Sequence, residues 1–187
     1  MIEIRWHGRG GQGAKTAATL LAAAALHEGK HSQGFPEYGP ERMGAPIRGF
    51  TRISDEPILL HCNIAEPDVV VVLDPTLIGT VDVTEGLKPG GVIVVNTVES
   101  PEQMRAKLGV EGGKVCTVDA SGIALDEIKR DIPNAPMLGA LAKVTGVLKL
   151  ETIKEDIVQK FSGKFNKEMI DGNLRAIQRA YEEVKEG

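Results

Sequence analysis

Residues His7–Ala18 read HGRGGQGAKTAA, with Gly8, Gly10, Gly11 and Gly13 ahead of a Lys15-Thr16 pair. Gly8, Gly10 and Gly13 satisfy G-x-G-x-x-G, a loop in which backbone N–H groups and a helix N-terminus converge on an anion. The dinucleotide form of that loop also needs an acidic residue at the end of the second strand, for the ribose hydroxyls. The corresponding stretch, KHSQGFPEYG, holds no acid before Glu37. The triphosphate loop G-x-x-x-x-G-K-[ST] fits in spacing from Gly8 to Gly13, but Ala14 stands before the lysine. That residue turns Lys15 about 100° around the helix from where a phosphate-binding lysine belongs. The expectation is a bound phosphate or diphosphate; the plainer alternative is a tight turn packing helix against strand.

Other candidates are weaker. His27–His31 reads HEGKH and matches the zinc-protease string H-E-x-x-H. That chemistry needs both histidines on one face of a continuing helix, and Gly29 is a helix-ending residue between them. Arg48, Phe50 and Arg52 share one face of a strand, either as a solvated, salt-bridged edge or as an anion- or partner-docking surface, with Arg42 nearby. Asp74, Asn96 and Asp119 close three predicted strands at the edge where open α/β sheets bind ligands, and the same residue types also serve as turns and caps. No nucleophile–base pair, carboxylate dyad or metal set emerges, so neither a catalytic residue nor a metal ligand is assigned. A binding subunit fits this better than a free-standing enzyme.

The elements that must position these residues alternate. IEIRWHG reads as a strand and AKTAATLLAAAALHEG as a helix closed by Gly29. DVVVVLD (Asp68–Asp74) and GVIVVNT (Gly91–Thr97) read as strands buried on both faces of a parallel sheet, KVCTVDA (Lys114–Ala120) as a weaker third. PTLIGTVDVTEGLKPG and SPEQMRAKLGV have crossover length. Between Lys30 and Ala65, QGFPEYGPERMGAPIRGF carries too many Pro and Gly for a regular element. After it, IRGFTRIS, a turn at Asp55-Glu56 and PILLHC predict a β-hairpin. The tail is helical: Met137, Leu141, Val144 and Leu148 share a face, Thr152 and Glu155 predict a capping box, and Ile170, Leu174, Ile177, Tyr181 and Val184 repeat at helical spacing. The expected fold is α/β and Rossmann-like, a mostly parallel sheet with an inserted β-hairpin and a helical C-terminal tail, in a single domain over 1–187.

Composition narrows the function. With 187 residues, 42% hydrophobic and 26% charged, the chain is an ordinary globule. A net charge of −4 and 4% aromatics argue against nucleic acid, for want of both attraction and a stacking surface. No apolar run approaches the roughly 20 residues of a membrane span, and MIEIRWHG has no apolar leader. Cys62 and Cys116 stand far apart without a C-x-x-C companion, which points away from iron–sulfur clusters and toward a reducing cytoplasm.

Three segments taken together, WHGRGGQGAKTAATLLAAAA, GFPEYGPERMGAPIRGFTRISDEPI and VVVVLDPTL, resemble the gamma subunits of 2-oxoacid:ferredoxin oxidoreductases, the pyruvate enzymes above all. The tail NLRAIQRAYEEV is similar to that family's last helix. The resemblance implies a Rossmann-like subunit that binds coenzyme A, its diphosphate over Gly10–Gly13 and its site residues Gly8, Arg9, Gly10, Gly11, Gln12 and Gly13. It implies alpha, beta and delta partner subunits that hold thiamine diphosphate, Mg and the iron–sulfur clusters and pass electrons to ferredoxin. Tyr38, Gly39, Pro40, Glu41, Arg42 and Gly44 would pack on the catalytic subunits. The implied reaction converts pyruvate, coenzyme A and oxidised ferredoxin into acetyl-CoA, CO₂ and reduced ferredoxin. A branched-chain 2-oxoacid or 2-oxoglutarate enzyme and a stand-alone nucleotide-binding regulator stay open as alternatives.

Overall fold

Four consecutive valines, Val69–Val72, are buried on both faces, and only a strand in the middle of a covered sheet accommodates that pattern. In the computed structural model, which describes residues 1–37 and 44–187, that strand is β4 of seven. Chain order gives β1 (Ile2–Arg9), α1 (Ala14–His27), β2 (His31–Pro36), β3 (Pro46–Ser54), β4 (Val69–Val72) and β5 (Val92–Asn96). Then come α2 (Pro101–Leu108), β6 (Lys114–Val118), α3 (Ala120–Ile128), α4 (Asn134–Thr145), α5 (Leu150–Phe161), α6 (Lys167–Glu183) and β7 (Lys185–Glu186). The sheet order is β2-β3-β1-β4-β5-β6-β7. The pairs β1/β4, β4/β5 and β5/β6 are parallel, while β3, β2 and β7 join antiparallel at the flanks. The α/β class and the parallel centre agree with the sequence.

Helices α1 and α3–α6 cover one face, over Ile4, Trp6, Ile53, Val71, Val94 and Val118. The α1 sequence is alanine-rich because the helix lies close to the sheet. A Cβ on Gly34 would sit 2.7 Å from Ala18 O, and one on Gly49 would sit 3.1 Å from Ala14 O. Trp6 Nε1 donates to Thr51 Oγ1 at 3.0 Å, and that hydroxyl donates to Ala18 O at 2.9 Å, which ties β1, β3 and α1 together. α1 ends at His27: Gly29 N–H bonds Leu26 O and Lys30 N–H bonds Ala25 O, a helix-terminating pair that needs the positive φ of Gly29. On the other face, a second apolar cluster with Val70, Val95, Met104 and Val115 lies under α2.

Three expectations are corrected. The hairpin is β2–β3, with residues 37–45 as its connection, and Pro57–Cys62 forms no strand. Residues 33–36, read as irregular from their Pro and Gly, are strand, because Gly34 serves close packing rather than turning, whereas the strand expected at Ile47–Ser54 is present within β3. Thr152 caps nothing: α5 starts at Leu150 after Lys149, which puts Thr152 inside the helix and buried.

Candidate functional site

The glycine loop leaves the carboxyl end of β1 and enters α1, and its side chains hold it in place. Arg9 N–H donates to Gln12 Oε1 at 2.7 Å, and Gln12 Nε2 donates to Asp74 Oδ2 at 2.7 Å. Arg9 Nε lies 3.2 Å from the same carboxylate, and its guanidinium also reaches Thr76 Oγ1 and Gly44 O. Burial pushes the Asp74 carboxyl up, but hydrogen bonds from Thr76 and Gln12 and the Arg9 charge outweigh it and hold it below the ordinary range. Gly10 N–H bonds Ala45 O at 3.0 Å, and Gly44 N–H bonds Gly10 O at 3.3 Å, so the loop is stitched to the far end of the insertion. Gly8 lies in β1, where a Cβ would meet Ala14 Cβ at 3.2 Å.

Gly11 and Gly13 differ from these. Their φ values, +102° and +84°, lie in the left-handed region that side chains disfavour. A Cβ on Gly11 would meet nothing within 4 Å, and one on Gly13 would lie 2.7 Å from Asn134 Nδ2. Gly13 caps α1 with no side-chain hydrogen bond among the described residues, so the first-turn N–H groups are left for a ligand or water.

Both glycines open on a cavity of about 410 Å³ beside Thr16 and Leu20 of α1. Its far walls come from the end of α3, the start of α4, the end of α5 and the start of α6. They carry the cations Arg130, Lys160 and Lys164, the apolar Ile128, Phe161, Phe165 and Met169, and the amides Asn134 and Asn173. Lys160 Nζ stands 3.3 Å from Oδ2 of the buried Asp156, an ion-pair distance without hydrogen-bond geometry; Asp156 Oδ1 lies 3.2 Å from His27 Nε2. Among the described residues no carboxylate lies within ion-pair range of Arg130 or Lys164. Backbone donors, three cations, an apolar wall and two amides suit an anionic ligand with an apolar body. Lys15, on the same helix turn as Thr16, is exposed and does not line the cavity.

The sheet face away from α1 is charged at β1 and β3. Arg48, Phe50 and Arg52 do share it, but β3 is an interior strand. Arg52, 1% exposed, pairs with Glu3 at 2.8 Å and lies 5.6 Å over the Phe35 ring. Arg5, also 1% exposed, donates to His7 Nε2 at 3.0 Å and to the carbonyls of Val83 and Glu85. Burial, with the Arg5 charge behind it, lowers the His7 imidazole to about 3, so it stays neutral.

The remaining candidates are placed as follows. His27 ends α1 and exposed His31 opens β2, so the HEGKH histidines do not share a helix face. Among the described residues no group of three or more His, Cys, Asp or Glu is arranged around a metal position. Asn96 bridges Leu73 O and Ser121, and Asp119 caps α3 through Gly122 N–H. Burial pushes the Cys116 thiol up to about 11. Tyr38, Gly39, Pro40, Glu41 and Arg42 lie outside the described residues. Arg130, Asn134, Lys160, Lys164 and Asn173 were not legible as site residues, because no local pattern joins positions so far from the loop in sequence. Among the described residues no helix is long and apolar enough to cross a membrane.

Comparison with known proteins agrees with this architecture. Residues 3–183 match the family described as pyruvate ferredoxin/flavodoxin oxidoreductase. The chain is 56% identical over 184 residues to the pyruvate synthase subunit PorC of Thermotoga maritima, covering 98% of this chain and 95% of that one. It is 54% identical over 181 residues to the pyruvate/ketoisovalerate oxidoreductases common subunit gamma of Thermococcus kodakarensis, covering 97% and 96%. The crystal structure of the Thermotoga maritima pyruvate oxidoreductase subunit PORC superimposes with a TM-score of 0.89 at 54% identity, covering 100% of this chain and 98% of that one. A 2-oxoglutarate:ferredoxin oxidoreductase from Magnetococcus marinus, solved with 2-oxoglutarate, coenzyme A and succinyl-CoA bound, matches with a TM-score of 0.77 at 25% identity. That match takes in 96% of this chain and 30% of the other. Sharing more than half of its residues with PorC and with a common subunit gamma, across nearly its whole length, the chain belongs to the pyruvate ferredoxin/flavodoxin oxidoreductases, as a gamma subunit of a 2-oxoacid:ferredoxin oxidoreductase complex.

Proposed function

We propose that this chain serves a pyruvate:ferredoxin oxidoreductase by binding coenzyme A at the glycine loop, as one domain over 1–187 in a cytoplasmic complex. The observation that carries the reading is the cavity of about 410 Å³ that Gly11 and Gly13 open onto, with Arg130, Lys160 and Lys164 facing them. Coenzyme A is a phosphorylated nucleotide with a long thiol arm, so an anion-holding loop beside an apolar wall fits its nucleotide end. The diphosphate lies against the backbone of Gly10–Gly13, while the side chains of Arg9 and Gln12 fix the loop from behind. The thiol arm then leaves the cavity toward partner alpha and beta subunits, which hold thiamine diphosphate and Mg. A delta subunit holds the iron–sulfur clusters and hands electrons to ferredoxin. The insertion around Tyr38–Gly44 docks on the catalytic subunits.

A second reading has its own support. The 54% identical relative is named as common to pyruvate and ketoisovalerate enzymes, so one gamma chain can serve both 2-oxoacids. Assay of the assembled complex on each substrate separates the two.

The test of the coenzyme A reading is Gly11→Val, where a Cβ enters open space at φ +102°. The apparent KM for coenzyme A should rise, while reduction of ferredoxin or a dye before coenzyme A is needed should change little. A thermal melt checks that the variant is folded. An unchanged response to coenzyme A, with pyruvate affinity lost, would assign the loop to the catalytic subunits instead.

A further inference from the structure

Two amides on the cavity wall have their orientation decided by the fold. Asn173, 5% exposed, donates Nδ2 to Met169 O at 2.8 Å. A carbonyl oxygen only accepts, so Nδ2 is fixed on Met169 O and Oδ1 is the acceptor left over, beside the second hydrogen of Nδ2. Among the described residues nothing donates to it. Asn134, 9% exposed, is the reverse: its Oδ1 accepts from Ala135 N–H at 2.8 Å, which leaves the donor Nδ2 beside Gly13. The cavity therefore offers a fixed acceptor on α6 and a fixed donor at the loop.

Their surroundings differ as well. Asn134 Nδ2 stands among backbone donors and extends the anion-holding set. Asn173 shares its wall with Ile128, Phe161, Phe165 and Met169, apolar surface against which a base can pack. The Asn173 residue is otherwise buried, and an acceptor left open on such a wall is available to a donor on the ligand. We propose that Asn173 reads the base of the coenzyme, its Oδ1 accepting from the exocyclic amino group of adenine, while Asn134 Nδ2 binds the diphosphate with the loop. The proposal rests on the coenzyme A reading above and deepens it, since it names the residue that sets base specificity.

Hypoxanthine carries a carbonyl where adenine carries the amino group, so its oxygen would face Asn173 Oδ1, acceptor against acceptor. A site built around a hydrogen bond discriminates against an analogue that lacks it. The experiment uses the assembled complex with coenzyme A and with the hypoxanthine coenzyme made by deaminating it, and reads kcat/KM for each. The native complex should prefer coenzyme A by about tenfold or more. Asn173→Leu, with the same branched heavy-atom skeleton, should bring that preference to within about twofold and raise KM for coenzyme A with kcat unchanged. Asn173→Gln keeps a neutral amide acceptor and should retain a preference for coenzyme A, which separates base reading from helix packing. Equal use of both coenzymes by the native complex, or an undiminished preference in Asn173→Leu, overturns the inference. If Gly11→Val raises KM for coenzyme A while Asn173→Leu keeps the preference, only the base assignment falls. If neither variant alters the response to coenzyme A, the coenzyme A reading fails and takes this inference with it.

Discussion

On the sheet face away from α1, Arg5 and Arg52 are surrounded by protein acceptors: Glu3, Gln33, His7 and the carbonyls of Val83 and Glu85. On the helix side of the same sheet, Arg130, Lys160 and Lys164 look across an open cavity at the backbone of Gly11 and Gly13. Both regions are rich in cations. In the first, each buried charge is answered inside the fold, so the cluster cements β1, β3 and the segment around residues 65–85. In the second, Lys160 has Asp156 at 3.3 Å, but Arg130 and Lys164 have no carboxylate in ion-pair range among the described residues and stand opposite backbone donors, so an anion would answer them. The acceptors around a charge, more than the charge itself, distinguish cement from site.

Variants can test that distinction, beginning with the largest effect. Arg52→Met removes the nearer partner of Glu3 and leaves it only Lys88 at 3.6 Å, which should destabilise the fold by about 3 kcal/mol in chemical denaturation. The folded fraction should keep its response to coenzyme A; a variant that melts like the native chain would show that this face is not cement. His7 comes next. It is neutral in the fold down to about pH 3, whereas the unfolded chain takes up the proton near 6.5. The unfolded state then binds more protons, so the stability tied to His7 is complete above pH 6.5 and falls as pH drops toward 3, by up to about 1.4 kcal/mol per unit. His7→Gln can still accept from Arg5 and should flatten that slope between pH 4 and 6.5 relative to the native chain. Equal slopes would show that other groups carry the acid sensitivity.

On the cavity side, Lys164→Met should raise KM for coenzyme A by about tenfold, with stability changed by no more than about 0.5 kcal/mol. The difference from the native complex should shrink as salt rises, because Lys164 is exposed. A loss of stability without a change in KM would move Lys164 to the cement class. The smallest effect belongs to Lys15→Ala. Lys15 is exposed and does not line the cavity that Thr16 lines, so KM should stay within about twofold. A large rise there would revive the triphosphate-loop geometry.

How much of this was legible beforehand follows from the kind of signal each part leaves. The parallel centre announces itself, because strands buried on both faces must be continuous β-branched runs, as Val69–Val72 and Val92–Asn96 are. The end of α1 is equally local: Gly29 supplies the positive φ that breaks HEGKH. β2 was illegible because HSQGFP looks like a loop. Its glycine answers to the Ala18 carbonyl, a contact that exists only once α1 packs on the sheet. The expected partner strand, Pro57–Cys62, has the apolar residues of a strand but leaves Leu59 84% exposed and unpaired.

By itself the sequence determined the α/β class, the positions of the central strands in the chain, the strand–loop–helix context of HGRGGQG and the family motif. Each depends on residues near one another in the chain, where periodicity, backbone freedom and helix termination act. Tertiary structure alone decided which loop groups stay available. Arg9 and Gln12 turn back to Asp74, more than 60 positions along the chain, while Gly11 and Gly13 face the cavity. It also decided what stands opposite them. Arg130, Lys160, Lys164 and Asn173 are brought there by apolar packing of α1 and α4–α6. The hydrophobic effect that drives such packing is non-directional, so it leaves no local mark on the polar residues it carries to the site.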